Sequence, residues 1–236
     1  MERLKELTGE DPAQLDAEEG LNRFVWNLRY PGVETFDGLV LWNSRLEGPR
    51  AIPGTYRARL SLGDETREVT FEVVADPRSS ASPPDFREQF EFQMSLHAKL
   101  SEVHAAIRRL RDARGQAAGL RDRLRGVEGT EEIVAALDAL EATSKAVEEA
   151  LYQTRNQSRQ DPLNFPIRLN DKLSGLMRLA SVGDFRPTSQ MEAVRERLFA
   201  AIDQELARLR EIWETDLPKI NQMVLDRQVP AIAPSD

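Results

Sequence analysis

From Asp85 to Arg125 the apolar residues keep to one spacing: Leu96, Leu100, Val103, Ile107 and Leu110, resumed after a three-residue step by Ala113, Ala117, Leu120, Leu124 and Val127. A four-three repeat puts these side chains on one stripe of an α-helix, and that stripe needs a second apolar surface along its length. Unbroken, the helix would be roughly 60 Å long at 1.5 Å per residue. Pro83, Pro84 and Asp85 suit its first turn, where no N–H is missed and an acid meets the positive end of the dipole. Gly126 and Gly129 end it. Thr130 is placed to cap a second helix with the seam Ile133, Leu137, Leu140, Ser144, Val147 and Leu151, antiparallel to the first because the connection is short.

Charge supports the same hairpin of helices. The first helix carries Arg108, Arg109, Arg111, Arg114, Arg121, Arg123 and Arg125, and the second carries Glu131, Glu132, Asp138, Glu141, Glu148 and Glu149. Asp112 and Asp122 interrupt the arginines, acids face them, and no aromatic residue stands among them to stack a base. The expectation is therefore a set of exposed ion pairs, each worth under about 1 kcal/mol, with Arg111, Arg114, Arg121 and Arg125 as a candidate protein-contact surface. Further on, Pro162 and Pro166 break the chain before a shorter helix using Ile167, Leu173, Leu176 and Leu179. Ser189 with Glu192 reads as a capping box for a last helix. Its stripe is Val194, Leu198, Ile202, Leu206, Leu209 and Trp213, and Pro218 should kink or interrupt it before Ile220 and Val224.

Residues 20–76 have a different period. Phe24, Trp26, Leu28 and Tyr30 alternate with Val25, Asn27 and Arg29, which puts an aromatic face on one side of an extended strand. A turn at Pro31 and Gly32 follows, then a short apolar run from Leu39 to Trp42, then a loop bracketed by Gly48, Pro49, Pro53 and Gly54. Tyr56, Ala58, Leu60 and Leu62 alternate again, and after the connection Gly63, Asp64 and Glu65 the return strand presents Val69, Phe71 and Val73 to the same side. Four strand candidates point to a small antiparallel sandwich of immunoglobulin-like or fibronectin-like type, although such a sandwich has about seven strands. The missing layer must come from the helices or from another chain.

The expected fold class is thus α+β: a β-sandwich at 20–76 after a polar segment at 1–19, a Pro/Ser-rich linker at 77–84, an elongated antiparallel bundle of about four helices at 85–227, and a disordered tail at 228–236. A net charge of −8 weighs against contact with nucleic acid or an anionic membrane surface, which require a basic face. No segment approaches eighteen consecutive apolar residues, so no membrane insertion is expected, and no signal peptide is read at the start. The chain has no Cys, hence no disulfide framework and no thiolate metal site. His97 and His104, seven apart, are too few and too widely spaced for a zinc centre and read as seam histidines. Phosphate-loop, dinucleotide and nucleophile-elbow motifs are absent, and no carboxylate pair is nominated for sugar hydrolysis. Neither a catalytic residue, a cofactor nor a metal site is expected. Trp26, Tyr30 and Trp42 remain as a candidate contact surface, and together with Phe24 they offer a carbohydrate platform as the alternative to core packing.

The run at 20–32, followed by Trp42, Gly48, Pro49, the run at 53–56 and Asp76, Pro77 and Arg78, resembles the region after the propeller in large bacterial BNR-repeat proteins with sortilin-like β-propellers. The runs at 161–173 and 183–188 resemble the helical tail of the same family, so that the resemblance covers about residues 20–225. It implies a module that docks on or extends a propeller or a partner chain, in proteins that are often exported and labelled glycosyl-hydrolase-like on account of their propeller. A homo-oligomer is a further expected form of partnership. The Asp-box pattern of a BNR blade does not occur here, so the resemblance carries over no catalytic residue. In the family a strand and turn precede the run at 20–32, whereas Met1 to Glu19 are acidic and helix-prone.

Overall fold

A hairpin of nine-residue strands, β1 (Gly54–Leu62) and β2 (Glu65–Val73), forms the two-stranded antiparallel sheet of this α+β, mostly helical protein. The computed structural model describes residues 18–42, 44 and 46–230. The α-helices among the described residues are α1 (Pro83–Leu124), α2 (Glu131–Leu151), α3 (Leu169–Ala180), α4 (Ser189–Glu211) and α5 (Leu217–Asp226). The chain divides into two units that each draw on several stretches. One comprises Met1–Val33, Ser44–Leu100 and Ser174–Arg195; the other comprises Glu34–Asn43, Ser101–Leu173 and Glu196–Asp236.

In the first unit, α1 begins with half of a capping box, the acid reaching back to the residue before the helix. The Ser82 N–H and hydroxyl both donate to Asp85, at 2.8 and 2.6 Å, while the Phe86 N–H donates to the Ser82 carbonyl. These bonds, with Arg186 donating to the same carboxylate at 2.7 Å, hold Asp85 down at about 2. Phe92, Leu96 and Leu100 are fully buried on this part of α1. The last carbonyl of α3, at Ala180, and that of Gly183 beyond it are taken by side chains of α1, while those of Arg178 and Leu179 accept the N–H groups of Ser181 and Val182. Gln89 donates to Ala180 and Gly183 at 2.9 and 3.0 Å, and Gln93 to Ala180 at 3.2 Å.

In the second unit α1 continues with Val103, Ile107 and Leu110 fully buried, and the α2 seam Ile133, Leu137, Leu140, Ser144, Val147 and Leu151 is buried as its spacing predicts. Ion pairs run from 111 to 148, 114 to 141 and 121 to 138, so the two helices are antiparallel here. Thr130 stands at the N-cap of α2 without capping it, since its hydroxyl donates backwards to the carbonyls of Leu124 and Val127. Thr188, not Ser189, caps α4 by accepting the Met191 N–H at 3.2 Å. Pro218 does not end the last helix. A π-turn over Ile212–Asp216 precedes it, with the Leu217 N–H reaching back five residues to Ile212, and the helix resumes as α5. The wide turn gives the proline ring room beside a carbonyl that an α-turn would press against it.

The immunoglobulin-like sandwich is not present among the described residues, and two of the four expected strands are irregular chain. The first alternation breaks at Leu28, whose φ of 59° is left-handed, because the Asn27 side chain accepts the Arg29 N–H and turns the backbone there. Only one bridge, Arg29 to Arg50, survives of the strand. Residues 39–42 are not a strand either: the Val40 and Trp42 N–H groups donate to the side chains of Tyr152 and Asp171, and no strand pairs with them among the described residues.

Candidate functional site

The segment Glu34–Trp42 lies as a strap on α1, the C-cap residue of α2, and α3 in the second unit. Its peptide groups are bonded one after another. Ser101 accepts the Glu34 N–H at 3.3 Å, and the carbonyls of Glu34, Thr35, Asp37 and Gly38 accept from His104, Arg108, Arg111 and Tyr152. The Val40 N–H donates to the Tyr152 hydroxyl at 3.2 Å, and the Trp42 N–H to the Asp171 carboxylate at 2.7 Å. One side chain anchors the run. Phe36 is buried edge-on against His104 and Tyr152, with ring centroids 5.2 and 5.1 Å away, and the Arg111 guanidinium sits 4.7 Å over its face.

Three titratable groups in this arrangement have displaced pKa values. His104 is fully buried, and a carbonyl can only accept, so Nδ1 carries the proton bonded 2.6 Å to Glu34 while Nε2 accepts from Asn170 at 3.4 Å. Burial holds its pKa below the ordinary value by disfavouring the imidazolium. Burial likewise pushes Asp171 up to about 6, against the lowering effect of the Trp42 N–H. Its Oδ2 takes that N–H, whereas Oδ1 is buried without a partner. Tyr152 is raised, chiefly by burial.

Arg111, Arg114 and Arg121 come together as the sequence proposes, in a shallow groove of about 370 Å³ lined also by Gly115, Ala118, Glu141 and Glu148. They are not loose surface charges. Arg111 donates to Glu148 at 2.7 Å, and Arg114 donates to both Glu141 and Glu148, an acid only 3% exposed. The Arg114 hydrogen bond holds Glu141 below the usual carboxylate range and raises Arg114 in turn. Arg121 pairs with Asp138 and Asp122 at 3.4 and 3.6 Å, and Arg125 is exposed beyond them. The expectation that all these pairs lie at the surface is corrected by Glu148, whose neighbours Ser144 and Leu151 belong to the buried seam.

The aromatic candidates separate. Trp26 packs on Tyr56 and Phe71 of the hairpin, with centroids 5.4 and 6.1 Å away, and donates its indole N–H to Arg29. Tyr30 packs on Phe90 at 4.9 Å. Trp42 belongs to the strap and is 38% exposed. Among the described residues no three His, Cys, Asp or Glu gather to hold a metal ion, and His97 donates to the Pro31 carbonyl at 3.1 Å. No described helix is long and apolar enough to cross a membrane.

The hairpin presents what sequence reasoning expected to be covered. The register pairs Tyr56 with Phe71, Ala58 with Val69, Leu60 with Arg67 and Leu62 with Glu65, so these side chains share one face. Trp26 covers its Tyr56 end alone; Leu60, Leu62 and Val69 are 60, 76 and 61% exposed. On the opposite face Arg57, Arg59 and Glu68 pair with each other. No backbone bond from a described residue outside the hairpin reaches the outer edge of either strand. Compared with protein-family models, with curated proteins and with solved structures, the chain matches none of them.

Proposed function

We propose that this chain is a non-catalytic interaction module that docks on a β-propeller or another partner chain through the apolar face of its β-hairpin. The observation that carries the reading is the open face on which Leu60, Leu62 and Val69 stand exposed beside the Arg67 and Glu65 pair. A two-stranded sheet with one apolar face is marginal alone and buries that face only against a second layer. Packing sheet on sheet is the common way to supply one. The resemblance of residues 20–78 to a post-propeller region gives the class of partner, and the open edges of β1 and β2 offer main-chain bonds to a further strand.

The pair of substitutions Leu60→Arg and Leu62→Arg tests this reading. Both side chains are exposed, so the urea midpoint should move by no more than about 0.5 kcal/mol equivalent, while the partner that co-purifies with the unaltered chain is lost. A fall of stability well beyond that, or retention of the partner, would count against the hairpin as the docking face. A second reading, carbohydrate contact as the accessory part of a glycosyl-hydrolase-like protein, rests on Trp42 and its exposed ring. It requires Trp42→Ala to abolish binding on a glycan array while the protein stays folded.

A further inference from the structure

Each end of the strap carries a bond to a buried group that can change charge, joined at the Glu34 end by Ser101 and Arg108, and the described bonds between the ends are to groups that keep theirs over this range. His104 holds the Glu34 carbonyl and Asp171 holds the Trp42 N–H; Arg108, Arg111 and Tyr152 hold the peptide groups between. As the side chains stand, neither end group has a partner for its charged form, and only rotation of the Asn170 amide, whose Oδ1 is buried and unbonded, would give His104 one. A second proton on His104 would sit on Nε2, where Asn170 already points a donor. A carboxylate at 171 keeps one oxygen, Oδ1, buried and unbonded. The surroundings do not compensate. Arg108 lies near His104 and disfavours its protonation, against the opposite pull of Glu34. Tyr152 lies near Asp171, with Arg111 and Glu148 also close to that hydroxyl.

We propose that residues 34–42 form a two-ended latch: protonation of His104 loosens its Glu34 end, and ionisation of Asp171 loosens its Trp42 end. The signs follow from which state holds the proton. Asp171 is raised in the closed state, so closure gains over opening as the pH falls and is lost as the pH rises through about 6. His104 is lowered in the closed state, so closure there is lost as the pH falls below 6.5, the ordinary histidine value. The strap therefore exchanges its weak end across the range from neutral to mildly acidic.

Amide hydrogen exchange of the full chain, corrected for intrinsic exchange rates, reads each end separately. Protection at the Trp42 N–H should fall by up to roughly 100-fold between pH 4 and 7, the factor carried by a two-unit displacement, and level off above about 6. Asp171→Asn keeps an acceptor for that N–H and cannot ionise, so it should abolish this dependence while retaining protection. Protection at the Glu34 N–H should fall in the opposite direction, on acidification, and His104→Asn, which keeps a donor toward the carbonyl, should flatten it. Should a variant not fold, the Trp42 amide shift of the unaltered protein decides, titrating near pH 6 if Asp171 governs it. Parallel loss of protection at both ends, a Trp42 titration near pH 4, or pH dependence surviving in Asp171→Asn would each overturn the latch.

Discussion

Gly48→Ala is expected to destabilise the first unit by about 3 kcal/mol, at the upper end of what overpacking a rigid site costs. A Cβ at this buried position would stand 2.1 Å from the Tyr30 carbonyl oxygen and 2.2 Å from that of Pro31. Both are backbone atoms, so no rotamer change relieves the contact. The close approach exists because residues 28–30 and 49–51 bond to each other, Tyr30 N–H to Pro49 at 3.0 Å and Ala51 N–H to Leu28 at 2.8 Å, with the Arg29 side chain donating to the Gly48 carbonyl. Gly115 is the control. It lies inside α1 with open space where a Cβ would go, so Gly115→Ala should stabilise by about 0.5–1 kcal/mol through helix propensity. Urea unfolding of the two variants checks the pair, which should shift in opposite directions.

Glu148→Ala is the second large effect, a loss of about 3 kcal/mol. Glu148 is the shared acceptor of Arg111 and Arg114, and its removal leaves two partly buried guanidinium groups on the same helix, one turn apart, with only Glu141 to answer them. Arg111 also holds Asp37 of the strap and covers Phe36, so the loss should spread to strap protection in exchange measurements. Arg125→Ala, at the exposed end of the same arginine run, should move stability by less than about 0.5 kcal/mol. Thermal unfolding of the two variants separates a buried strut from a solvated charge. Equal effects would show that burial of Glu148 does not set the energetics of the cluster.

The helical half was legible because periodicity records burial directly. Every residue of the α2 seam is buried, and so are the five stripe residues from Leu96 to Leu110. The hairpin was legible from its two-residue period and its turn at Gly63, with strands within a residue or two of the alternation, although here the period does not record burial, since Leu60, Leu62 and Val69 are exposed. The stripe fades where its side chains shrink: Ala113, Ala117 and Leu120 are half-buried and Val127 is exposed. The strap was not legible. Its contacts are side chain to backbone, across 67 to 129 residues of sequence, and a peptide group bonded by a distant Arg or Tyr leaves no mark on its own residue type. Residues 39–42 therefore looked like a strand, being apolar and β-branched in part, although no strand pairs with them. His104 and Asp171 carried no signal beyond their type; what distinguishes them is the segment they hold. Leu28 misled for a local reason, since an Asn before it can bend a chain that alternation alone would extend.

The direct test of the docking face is a photo-crosslinking side chain placed in turn at positions 60, 62 and 69 and, on the opposite face, at 57 and 70, in the cell that makes the protein. One discrete adduct formed from 60, 62 and 69 and missing from 57 and 70 is the predicted result, and mass spectrometry of that adduct would name the partner chain. Absence of any adduct at the three apolar positions, or equal adducts from both faces of the hairpin, would contradict a module that docks through this surface.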